Sequence, residues 1–138
     1  MKRLFNPAFF AMVLFIFGLT GCTEDPSPSP TDPRESYVGT WGVNESGGKQ
    51  YYEVNITLDA GSTTSVLIYN FANSGNTSNP AVATVSETNI TLVPDQVIGD
   101  GWTVNGGGAL TGSTIMNWSY SINDNANLNL YTATFTKL

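Results

Sequence analysis

This chain of 138 residues predicts an all-β domain, most simply a single small antiparallel barrel. Three observations carry that expectation. Two stretches alternate apolar and polar residues with the period of a half-buried strand. Clusters of Gly, Asn, Asp and Ser punctuate the apolar runs at regular spacing. No segment places apolar residues three and four apart over three turns, so no substantial helix is expected beyond the N-terminal leader.

The strands follow in order. A first is expected over 37–44. In the second, Tyr52, Val54, Ile56 and Leu58 alternate with Glu53, Asn55 and Thr57. The run 65–71 is apolar on both faces, which predicts a strand covered on two sides. Further strands are expected over 81–86, 88–93, 102–110 and 128–136. Over 116–122, Met116, Trp118, Tyr120 and Ile122 alternate with Asn117, Ser119 and Ser121. The turns fall at 47–48, 60–62, 73–76, 99–101 and 123–125, where Gly and Asn tolerate positive φ and Asx side chains close local turns. About eight short strands suit a barrel, whose closure removes the edges an open sheet exposes. An open β-sandwich is the alternative.

Ahead of this domain stand Lys2 and Arg3, an apolar run over 8–19, and Leu19-Thr20-Gly21-Cys22, which contains the only cysteine. The run is short for a bilayer span, which needs about 20 apolar residues. A basic start followed by a short apolar run is instead the pattern of a cleaved export signal. The arrangement resembles a bacterial lipoprotein signal, which implies cleavage after residue 21 and lipid on Cys22. Thr23 takes the place where inner-membrane retention signals carry Asp, and the acidic Glu24 and Asp25 resemble a surface-export signal. The resemblance implies a Gram-negative outer membrane, with the cell surface preferred over the periplasmic face. Residues 22–36 hold four prolines after the cysteine and no large apolar side chain, the composition of a tether. Extended at about 3.1 Å per residue, it would hold the domain over 37–138 roughly 40 Å from the bilayer.

Composition excludes several functions. The full chain has net charge −6, and beyond the leader only Arg34, Lys49 and Lys137 are basic. Nucleic-acid recognition depends on Lys and Arg contacts to phosphate, so no nucleic-acid partner is expected. The chain has no histidine, which removes Ser-His-Asp and Cys-His mechanisms and the usual transition-metal ligand. Asp95 and Asp100 flank Trp102 much as two carboxylates flank a sugar, but Pro94-Asp95 and Gly99-Asp100-Gly101 read as turns. The oxygen-rich stretch 123–127 lacks the Gly and the terminal Glu of an EF-hand loop and reads as a hairpin turn. Gly106-Gly107-Gly108 precedes neither a helix nor a Lys, so it is a bend or bulge in a strand rather than a phosphate loop. No catalytic residue, metal site or cofactor is expected.

Gly39-Thr40-Trp41 opens the domain with a Gly-x-Trp motif. Together with Ile68-Tyr69-Asn70-Phe71 and Asn117-Trp118-Ser119-Tyr120, it resembles the small lipocalin-like, calycin-type lipoproteins of Gram-negative bacteria. The resemblance implies that Trp41 plugs the barrel base beside Gly39, with a basic side chain of the last strand, Lys137, packed across its ring. It also implies a non-enzymatic binding module, for a small apolar ligand or a surface partner. A structural or adhesive surface module without a ligand is the alternative. Tyr52, Tyr69, Phe71, Trp118 and Tyr120 are the aromatic side chains placed to line such a ligand, unless they simply fill the barrel. Eight strands enclose a space just wide enough for their own side chains.

Overall fold

The computed structural model describes residues 31–47, 51–75, 78–99 and 101–138. The leader, Cys22 and most of the tether lie outside them. Nine strands form, each paired antiparallel with its neighbours: β1 (Gly39–Glu45), β2 (Tyr52–Leu58), β3 (Ser65–Tyr69), β4 (Ala81–Ser86), β5 (Asn89–Leu92), β6 (Gln96–Ile98), β7 (Trp102–Thr111), β8 (Ile115–Asn123) and β9 (Leu128–Lys137). Strands β1 to β5 pair in sequence order, β5 pairs with β7, and β7, β8 and β9 continue the meander. Strand β9 then pairs with β1, from Trp41↔Lys137 to Glu45↔Ala133, which closes an eight-stranded barrel. That closure excludes the open sandwich. The described residues contain only two short 3-10 turns besides strands, Pro33–Ser36 and Phe71–Asn73.

The ninth strand, β6, was not expected from the sequence. It pairs with β7 on the same side as β5: Ile90 stands opposite Gly108 and Val97 opposite Thr103. The two are one strand broken at Val93-Pro94-Asp95. Pro94 has no N–H to give a ladder, and Asp95 turns into the left-handed region at φ 55°. Side-chain amides supply what the ladder loses there. Gln96 Oε1 accepts from Val82 N at 2.6 Å, and Gln96 Nε2 donates to Val82 O at 2.7 Å. Asn105 Oδ1 accepts from Asp95 N at 2.8 Å, and Asn79 Nδ2 donates to Val97 O at 2.8 Å.

Period-two alternation sends one set of side chains inward along every strand. Trp41, Val43, Ile56, Ile68, Met116 and Phe135 expose no surface that a water molecule could reach, from outside or from within. They therefore border no void of water size. The base is closed by residues just ahead of β1. Tyr37 is fully buried and its hydroxyl donates to Glu87 O at 3.2 Å, across the base in the β4–β5 turn. Trp41 Nε1 donates to Tyr37 O at 2.8 Å.

Packed structure begins earlier than the composition of the tether suggested. Asp32 caps the 3-10 turn Pro33–Ser36 by accepting from Arg34 N. The buried Arg34 then donates to the carbonyls of Ser62 and Ser65, at 2.5 and 3.2 Å, tying this segment to the β2–β3 turn. The Arg34 guanidinium also holds the Asp32 carboxyl below its ordinary range. One buried arginine with carbonyl partners does here what an apolar anchor would do elsewhere.

Lys137 stands opposite Trp41, with Nζ 5.3 Å from the ring centroid and 3.0 Å from Ser36 O. Its stem also lies against Gly39, where an added Cβ would meet Cε at 3.4 Å. Replacing Lys137 by Met keeps most of the apolar stem and removes the charge. The expected loss of stability is about 0.5–2 kcal/mol, the range of a cation over an indole face, measured by urea unfolding.

Candidate functional site

Four of the five aromatic residues singled out from the sequence converge inside the barrel. The Phe71 ring lies 5.3 Å from that of Trp118 and 4.9 Å from that of Tyr120, both tilted, and Trp118 stacks on Phe135 at 5.4 Å. Tyr52 joins through its hydroxyl, 3.4 Å from that of Tyr120. Tyr69 is not among them. Val66 and Ile68 take the inward positions of β3, so Tyr69, one residue on, faces out opposite Asn55 and is half-buried. Phe71 would also face out if the strand continued. Instead the strand ends at Tyr69, Asn70 takes φ 60°, and the chain folds over the mouth to insert Phe71 from above. Asn70 fixes this turn by donating to Glu53 O at 2.8 Å and accepting from Gly75 N at 2.7 Å. The mouth is thus plugged by Phe71, as the base is plugged by Tyr37 and Trp41.

Beside that plug sits Glu45, a residue the sequence reading passed over. The parity of β1 turns Trp41, Val43 and Glu45 to the same side, so the carboxylate points into the mouth. Its Oε1 accepts hydrogen bonds from Tyr120 and, at 3.4 Å, from Tyr52. Tyr131 stacks on Tyr120 with centroids 5.6 Å apart. Burial raises the Tyr52 and Tyr120 hydroxyls well above the ordinary tyrosine range, and the adjacent Glu45 carboxylate adds to this. Both phenols therefore stay protonated and serve as donors at neutral pH. The two hydroxyls solvate an inward carboxylate at the mouth of the barrel.

Its pH dependence has a definite sign. Burial also lifts Tyr37 to about 12. All three phenols have folded-state values above their unfolded value of roughly 10, so the folded state keeps protons that the unfolded state releases. Stability is full below pH 10 and falls above it, by about 1.4 kcal/mol per pH unit for each phenol still protonated in the fold. Melting curves between pH 8 and 11.5 should be flat up to about 10 and then drop steeply. Replacing Tyr120 by Phe should make the drop shallower.

The other polar candidates are engaged in turns. Asp95 accepts from Asn105 Nδ2 at 3.0 Å, and Asp100 lies outside the described residues. Asp124 accepts from Ala126 N and Asn127 N within the β8–β9 turn, and these bonds hold its carboxyl low. The stretch 123–127 is thus a hairpin turn. Among the described residues, no three His, Cys, Asp or Glu side chains stand together.

Outside, two cross-strand rows of the wall from β5 round to β1 are polar and uncharged, while Ile115, Leu128 and Leu130 stand exposed beyond them. One cross-strand row runs Asn89, Ala109, Asn117, Thr134, Asn44. The next runs Thr91, Gly107, Ser119, Thr132, with Thr132 Oγ1 2.7 Å from Ser46 Oγ. Gly107 and Ala109 leave a shallow depression between the larger residues, open to solvent. The wall offers hydroxyls, amides and small apolar surfaces, with no carboxylate or ammonium in either row. No family model matches the chain, and no curated protein does.

Proposed function

We propose that this protein is a lipid-anchored, non-enzymatic module that displays its barrel at the bacterial outer membrane and meets a surface partner through its outside. The filled interior carries this reading. Phe71 plugs the mouth, Tyr37 and Trp41 plug the base, and Val43, Ile56, Ile68, Met116 and Phe135 between them expose no surface, which leaves an apolar ligand little room inside. Of the two ligand classes the lipocalin-like resemblance implies, the surface partner is the one this geometry favours. The uncharged rows of Asn, Ser and Thr side chains on the outer wall are a surface suited to it.

The anchor is Cys22, at the end of the leader pattern. Each buried methylene contributes about 0.8 kcal/mol and a single chain holds only marginally, so anchoring needs more than one acyl chain on the cysteine. Palmitate-length chains on Cys22 would hold the domain at the membrane without its entering the bilayer.

Native mass spectrometry of the protein purified from its membranes tests both parts. The expected species is the polypeptide from Cys22 onward with acyl chains and nothing else. A stoichiometric apolar molecule released on unfolding would overturn the ligand-free barrel. Separately, a Cys22→Ser chain that pellets with membranes and takes up no less labelled fatty acid would overturn the anchor.

A further inference from the structure

Among the described residues, two lapses in the strand pairing of the wall are treated oppositely. At the first, the gap between β4 and β6 is filled: Pro94 interrupts the strand, and the amides of Gln96 and Asn79 bond the carbonyls of Val82 and Val97. The second lies between β1 and β9. Strand β1 ends at Glu45, opposite Ala133, and Ser46 N donates to Thr132 O. Strand β9 begins four residues before Thr132, at Leu128, so Leu128–Tyr131 pair with β8 alone.

The ladder shows which way the backbone of this segment points. Ser46 N bonds Thr132 O on the β1 side, and Lys137 N bonds Thr114 O on the β8 side. Antiparallel strands alternate in this respect, so Leu128 and Leu130 aim N–H and C=O away from β8, along the open edge. No described residue bonds them there. Their side chains stand on the outer wall, 68% and 81% exposed. The segment Leu128–Tyr131 contains no charged residue and no Pro, the residues that usually protect an edge.

We infer that this edge pairs with the same edge of a second copy of the chain, antiparallel about a two-fold axis at Asn129. That register places Leu128 opposite the partner's Leu130 and Leu130 opposite the partner's Leu128. Both are hydrogen-bonded pairs, so four free N–H groups meet four free C=O groups counted over the two pairs in each direction of exchange. The four leucines form one apolar cluster on the outer wall, and the two Asn129 residues face each other on the other side of the ribbon. Charge permits the approach in a chain of net charge −6. Residues 125–131 carry no charge, and Asp124 is turned back into the β8–β9 hairpin, its carboxylate bonded to Asn127 N and Ala126 N. The strip is short of the roughly 1,000 Å² that a stable interface needs. Pairing is therefore weak in dilute solution and populated where copies are concentrated, as on a membrane. The inference goes beyond the display reading and stands whether or not Cys22 carries lipid.

Cysteine cross-linking tests it on the full chain with Cys22→Ser. In an Asn129→Cys variant the two-fold axis brings the two Cα atoms to about 4.5 Å, within disulfide range. Mild oxidation should give a covalent dimer at least tenfold faster than a Thr63→Cys control at the exposed β2–β3 turn. Adding Leu130→Lys should slow it at least tenfold, with an unchanged far-ultraviolet dichroism spectrum, since Leu130 is on the surface. Sedimentation of the chain with no introduced cysteine should show a dimer growing with concentration and lost on Leu130→Lys. Cross-linking of Asn129→Cys no faster than the control, insensitivity to Leu130→Lys, or a monomer at every concentration would each overturn the inference, including in favour of a foreign strand at this edge.

Discussion

Replacing Trp118 by Ala is expected to cost about 3–5 kcal/mol, the range for removing a large aromatic side chain from a packed core. Small domains have roughly 5–15 kcal/mol in total, so the variant should be close to unfolding at 37 °C. The indole is 2% exposed, stacks on Phe135 and meets Phe71. Its removal would empty a space at the centre of the barrel that no neighbour can fill without leaving its own strand position. Trp118→Phe should cost much less. Trp118 Nε1 is buried without a hydrogen-bond partner, so the change to Phe removes an unsatisfied donor rather than a bond, and an orphan of that kind costs about 1–3 kcal/mol. Urea unfolding of the two variants measures the contrast. A cost for Trp118→Ala below about 1 kcal/mol would mean that Trp118 lines open space.

The second large effect is expected at Gly106. A Cβ there would lie 2.4 Å from Ser119 O and 2.5 Å from Tyr120 Cα, and its φ of +138° is one that L residues rarely adopt. Both obstacles are backbone, so no rotamer change relieves them. Gly106→Ala should lose about 3 kcal/mol or more, combining overpacking with backbone strain. Gly108→Ala is a sharper comparison. Its Cβ meets the Trp118 ring at 2.8 Å, a side chain that can shift. The expected order is therefore Gly106→Ala more damaging than Gly108→Ala, read from the denaturant midpoints. The reverse order would place the tight approach of β7 and β8 in the wrong strand positions.

These glycines show what the sequence could and could not disclose. In the sequence their run reads as a bend or bulge, but β7 pairs with β8 without interruption through all three glycines. The break lies across the ladder at Val93-Pro94-Asp95, and Gly106 and Gly108 make room for Tyr120 and Trp118 of β8. A glycine's own position in the chain does not say which neighbouring strand will press on it. The strands with clean alternation, β2 and β8, were legible to within a residue because period two and the inward face are the same fact. Strand β6 was not, since three residues after a proline carry no period. In the sequence Tyr69 and Phe71 share one face of one strand, and the left-handed turn at Asn70 separates them. Asn is a residue that tolerates such a turn, so the signal was present but not decisive. Glu45 was missed although Trp41, Val43 and Glu45 share parity. A carboxylate at a strand end looks like surface until the two tyrosines that solvate it are brought across the barrel.

The central claim is that the barrel is solid and acts from its outside. Xenon titration followed by methyl NMR tests it most directly, because xenon enters apolar cavities that are empty of water. With a filled interior, the methyl signals of Ile56, Ile68 and Val104 should show only small, linear shifts with xenon pressure, while Trp118→Ala should show saturable ones. Saturable shifts of those methyls in the unaltered protein would reveal a cavity in the core and contradict the claim.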